Sequence, residues 1–104
     1  MDRLAQLQAF LKESPDDAFI NYAIATEFVS RGNDNEAESI FRQLIANHPA
    51  YIATYYHLGK LLERKSEKSE AMDMYRLGIE KATAAGERHS LSELQSALLE
   101  LEYE

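Results

Sequence analysis

PAYIATYYHLGKLLERKSEKSEAMDMYRLGIEKAT, residues 49–83, repeats the grammar of PDDAFINYAIATEFVSRGNDNEAESIFRQLIANH, residues 15–48. Pro15 and Pro49 stand thirty-four positions apart, and the same interval separates Ala37 from Ala71, Phe41 from Tyr75, Arg42 from Arg76 and Ile45 from Ile79. A fixed period of this length in a helix-forming sequence marks stacked helical hairpins, whose usual task is to hold another protein. Small residues fall where two helices of a hairpin should touch: Ala25 and Gly59 in the first helix, Ala37 and Ala71 in the second. Large residues fill the adjacent places, Ile24 and Leu58, Phe28 and Leu62, Phe41 and Tyr75. That alternation of short and bulky side chains is what interlocking helices require.

Working outward from the repeats, residues 2–13 read as a short amphipathic helix with Leu4, Leu7, Phe10 and Leu11 on one face. Ser14 is expected to cap the next helix, with Pro15 in its first turn and Asp16 and Asp17 at the positive end of its dipole. That helix should run over 16–31 and end at Gly32, whose backbone can turn left-handed. A second follows over 35–47, a third over 50–65 and a fourth over 69–84, with Ser66 in the place of Gly32. Gly86 marks another break, and Ser90 with Glu93 has capping-box spacing for a last helix carrying Leu91, Leu94, Leu98 and Leu101. No linker or low-complexity segment separates the pieces. The expected organisation is one domain: an N-terminal helix (1–14), a first repeat (15–48), a second repeat (49–83) and a capping helix (84–104).

Composition bounds the function. The chain has 104 residues, 45% hydrophobic and 28% charged, with only two prolines and four glycines, which fits an all-α globular domain. Its net charge of −7 disfavours nucleic acid and anionic membrane surfaces as partners. There is no cysteine, so disulfides, thiol chemistry and cysteine-based zinc sites are excluded. The first residues lack the basic start and apolar run of a secretion signal, and no window has the length of a membrane span, so a cytoplasmic protein is expected.

Leu58-Gly59 with Tyr55 three residues before, Ala71 with Tyr75, and a proline closing the first repeat resemble the tetratricopeptide repeat. The first copy carries Ile24-Ala25, Ala37, Phe41 and Pro49, so the resemblance covers residues 15–83. It implies an α–α superhelix of antiparallel hairpins. Residues 2–13 then look like the second helix of a preceding repeat, and residues 90–103 like a cap. Three positions depart from the pattern. Asn21 replaces a large side chain and should loosen its hairpin. Thr83 replaces a closing proline, so helix should run on toward Gly86. Gly78 stands where alanine is usual, at about 1 kcal/mol of helix propensity unless it lets a neighbour pack close.

The resemblance also implies a concave peptide-binding face, lined by Phe19, Tyr22 and Thr26 in the first hairpin and Ala53, Tyr56, His57, Lys60 and Arg64 in the second. Their spacing of three and four keeps each set on one helical face, and aromatics beside charged groups suit a protein interface. Some family members grip a carboxyl-terminal tail with lysine, asparagine and arginine. The matching places here hold Tyr22, Thr26, His57, Glu87 and Leu91, so that clamp is missing. His48, His57 and His89 have no metal-ligand spacing, and His48 and His89 read as solvated loop residues. Lys60, Arg64, Lys65 and Lys68 read as a solvated helix end, with a phosphate or acidic-peptide contact as the alternative. No nucleophile, metal or phosphate-loop motif appears, so no enzyme activity and no cofactor is expected. The expected function is non-catalytic binding of a protein or peptide partner in that groove. The alternative is a structural subunit that forms a homodimer through its last helix, where Leu99 lies off the main apolar stripe.

Overall fold

The computed structural model describes residues 2–104, and among them are six α-helices and no strand. These are α1 (Arg3–Glu13), α2 (Ala18–Ser30), α3 (Asp34–Asn47), α4 (Ala53–Arg64), α5 (Lys68–Ala85) and α6 (Arg88–Glu102). They gather into two compact units, Met1–His48 with α1 to α3 and Pro49–Glu104 with α4 to α6. No helix among the described residues is long and apolar enough to cross a membrane.

Helix ends follow one device used three times. Gly32, Ser66 and Gly86 have φ of 78°, 63° and 71°. After each, the next N–H bonds a carbonyl five residues back: Asn33 to Phe28 at 2.9 Å, Glu67 to Leu62 at 2.8 Å and Glu87 to Ala82 at 3.0 Å. This left-handed closure satisfies carbonyls that the helix leaves without partners. Ser66 does take the place of Gly32, at the conformational cost that a side chain meets there. Thr83 lets α5 continue to Ala85, as its lack of a proline implies.

Helix starts differ from the sequence expectation. The cap of α2 is Asp17, whose side chain accepts the Ile20 N–H at 2.9 Å, and Pro15 lies in the turn before it rather than in the helix. Asn21 reaches back over that turn and donates to the carbonyls of Pro15 (3.1 Å) and Asp17 (2.9 Å). In the second unit the Tyr55 hydroxyl donates to the Pro49 carbonyl. Asn21 and Tyr55 are repeat equivalents, so asparagine keeps the polar bond to the proline carbonyl while giving up the ring. His48 is likewise no free loop residue: its Nε2 lies 2.9 Å from the Asp16 carbonyl and 3.1 Å from Asp16 Oδ1. The Ser90 capping box does not form; α6 begins at Arg88, behind Glu87, without a side-chain cap.

In the first unit Leu7, Ala23 and Ile24 are buried and Leu4, Leu11, Ile20, Phe28 and Ile40 pack around them. Phe10, expected on that apolar face, is 60% exposed. Arg31 joins Asp2 of the α1 cap to Glu27 of α2, and Arg3 adds a second link to Glu27. Asp2 accepts the Ala5 N–H, and chiefly for that reason its carboxyl titrates below the usual range.

In the second unit Tyr55, Leu58, Leu62, Tyr75 and Leu94 are almost wholly buried. Each buried side chain of this size stabilises the fold by about 1.5–3 kcal/mol relative to exposure. Two glycines make the packing possible. A Cβ at Gly59 would land on the Tyr75 ring, and one at Gly78 would lie 2.7 Å from Tyr55 Cβ and 2.9 Å from Leu94 Cδ2. Gly78 is therefore the close approach that offsets its poor helix propensity. Gly59→Ala should lower the urea midpoint, since overpacking costs about 1–3 kcal/mol against a propensity gain of about 1 kcal/mol. An unchanged or higher midpoint would mean that the Tyr75 ring moves aside freely.

Candidate functional site

The α4 stripe begins at half-buried Ala53 and passes through half-buried Tyr56, His57 and Lys60 to exposed Arg64. Its middle is fixed from beneath by the core. The Tyr75 hydroxyl donates to Glu63 Oε2, and Lys60 Nζ lies 3.7 Å from the same carboxylate oxygen. Lys60 Nζ also stands 5.5 Å from the centroid of the Tyr56 ring. That ring meets Tyr75 at 6.3 Å, tilted 45°, and His57 at 5.6 Å, nearly edge-on. A cation over a tyrosine face contributes about 0.5–1 kcal/mol at an exposed site. The result is a surface array held in one geometry rather than a set of free side chains.

Electrostatics follow from burial. Tyr75 is pushed far up, first by burial and then by the Glu63 carboxylate, so it stays a hydrogen-bond donor at ordinary pH. His57 is pushed down by burial, with the negative charge of Glu93 opposing.

Opposite the Tyr56 and Lys60 side chains, α6 supplies the other wall of an open cleft of about 260 Å³. Its lining from α6 is His89, Ser92, Glu93, Ser96, Ala97 and Glu100. These six residues were missed by the sequence reading, which followed only the leucine stripe of this helix. Their intervals of three, four and seven were the available signal: they mark a second face of α6 whose small residues leave room. His89 is on the first turn of α6, 3.9 Å from Glu93 Oε2, and not in a loop.

The first unit places its three candidates separately on α2. Phe19 is 61% exposed. Tyr22 is half-buried, its ring 6.5 Å from that of Phe41 at 54°. Thr26 is half-buried and donates its hydroxyl to the Ala23 carbonyl at 2.9 Å, so its own helix occupies that donor. Ala23, the residue after Tyr22, is buried in the core. Among the described residues no group of three or more His, Asp and Glu side chains could hold a metal ion.

Solved structures share this architecture. The solution structure of a tetratricopeptide repeat domain protein from Salinibacter ruber is 44% identical, covers 86% of this chain and 90% of its own, and has a TM-score of 0.82. The crystal structure of that domain, 44% identical over 83% of this chain and 97% of its own, gives 0.80. A Bordetella parapertussis protein solved in solution is 20% identical, covers 99% of this chain and 90% of its own, and has a TM-score of 0.85; at that identity the likeness is one of fold. No family sequence model matches the chain, and no curated protein matches it. The chain belongs to the tetratricopeptide repeat family, with the all-α helical-repeat solenoid fold of that family. Domains of this class are in general protein-interaction scaffolds.

Lowered protonation of His57 has a measurable consequence. The unfolded chain takes up a proton near the ordinary value of 6.5, while the folded chain resists it, so stability is full above that value and falls as pH drops through it. Urea unfolding from about pH 7.5 to about pH 5.5 should show this loss, and His57→Gln should flatten it. Parallel pH profiles for the two proteins would remove His57 as the cause.

Proposed function

We propose that the protein is a non-catalytic scaffold, with residues 15–48 and 49–83 as its two repeats, that binds a segment of a partner protein on the α4 face. The observation that carries this reading is the Tyr56–Lys60–Glu63–Tyr75 array beside the α6 cleft. A receptor surface already ordered by its own core need not be ordered by the ligand, which is the advantage of a preorganised site. Tyr56, His57 and Lys60 form its centre, and Ala53 and Arg64 extend it along α4. The repeat-equivalent positions on α2 to Ala53, Tyr56 and Lys60 are Phe19, Tyr22 and Thr26, which extend the same reading to the first hairpin.

The test is partner capture from native extract with the wild-type chain and a Tyr56→Ala/Lys60→Ala variant, identified by mass spectrometry. Circular dichroism should give equal helicity, and the variant should lose at least one partner recovered by the wild type by about tenfold or more, the scale of a central interface residue. Identical recovery by both proteins would remove α4 from the binding face.

A second reading, self-assembly through α6, is favoured by one observation. Leu99 and Tyr103, one turn apart at its C-terminal end, are 55% and 84% exposed. A pair of large apolar side chains on one face suits an isologous contact between two copies. Sedimentation at rising concentration should then give a dimer that Leu99→Lys disrupts; a monomer throughout would sink this reading.

A further inference from the structure

We infer that the α4–α6 cleft receives a basic side chain, lysine or arginine, from an extended segment of the partner; this rests on the α4-face reading above. Its volume of about 260 Å³ lies just below the range of about 300–1,000 Å³ typical of small-molecule sites and leaves room for a side chain. The charges decide which one. Lys60 is the one permanent cation in the lining, and it is already engaged by Glu63 and the Tyr56 ring. Glu93 lies 3.9 Å from His89, which is charged only when its imidazole is protonated, and its negative charge also reaches His57, which burial keeps mostly neutral. Glu100 forms no ion pair among the described residues.

Glu93 and Glu100 are seven residues apart on one face of α6, about 10 Å along the helix axis. A cation seated between them faces both carboxylates, with the hydroxyl of Ser96 on the same wall. A partner carboxylate in that place would add a third negative charge. This preference is opposite in sign to a clamp for a carboxylate tail, and it follows from the residues of α6 rather than from those of the repeats.

The probes are three capped alanine pentapeptides with lysine, norleucine or glutamate at the centre, titrated into isotopically labelled full chain and followed by amide chemical shifts. At ~20 mM salt the lysine peptide should shift α4 and α6 amides around Tyr56, Glu93, Ala97 and Glu100, and bind about tenfold more tightly than the norleucine peptide. In a Glu93→Gln/Glu100→Gln variant, whose substitutions are at exposed positions, the two peptides should become equal within about twofold. Equal binding of lysine and norleucine by the wild type overturns the inference and leaves the α4 face as an apolar docking surface. Stronger binding of the glutamate peptide, or no amide shift from the lysine peptide, also overturns it. The capture experiment with Tyr56 and Lys60 reports on the α4 face separately, because Glu93 and Glu100 are intact there.

Discussion

The contact between the Tyr75 ring and the bare backbone at Gly59 governs the second unit. Only a residue without a side chain lets the ring of α5 settle against α4, and the ring then carries its hydroxyl out to Glu63. Glu63 in turn holds Lys60, and Lys60 lies over Tyr56. A core packing decision is thereby transmitted through one hydrogen bond and one ion pair to the outer face of α4. In the first unit the equivalent places hold Ala25 and Phe41, both fully buried.

The two units solve the same local problem with different chemistry. Each needs a donor for the carbonyl of the proline that precedes its hairpin. Tyr55 supplies a hydroxyl from a ring that also fills the core, and Asn21 supplies an amide from a side chain that does not. Likewise glycine at 32 and serine at 66 both adopt the left-handed turn that closes a helix. In these two repeats the backbone geometry is kept while the side chains differ, since several side chains can satisfy one carbonyl.

Preorganisation gives these features a functional sense. Tyr56 and Lys60 are each restrained by neighbours that belong to the hairpin, which under the proposed reading leaves little ordering for a partner to impose. The α6 wall is different in kind. Its serines and alanine leave space, and its two carboxylates carry negative charge.

From sequence alone, the thirty-four-residue interval determined the all-α repeat class, because equal spacing of small and bulky residues has few other physical causes. The left-handed closures at Gly32, Ser66 and Gly86 were legible for the same reason: they depend on neighbours within one turn. Tyr56 and Lys60 were legible as one face of α4, since helical spacing places them there. The true helix starts, the His48–Asp16 tie and the exposure of Phe10 were not, because each depends on groups distant in the chain or on which of two polar side chains wins a cap. The α6 wall of the cleft was decided only by tertiary packing. The leucines of α6 choose the buried face, and only when that face is docked does the remaining one, with His89, Glu93 and Glu100, come opposite Tyr56.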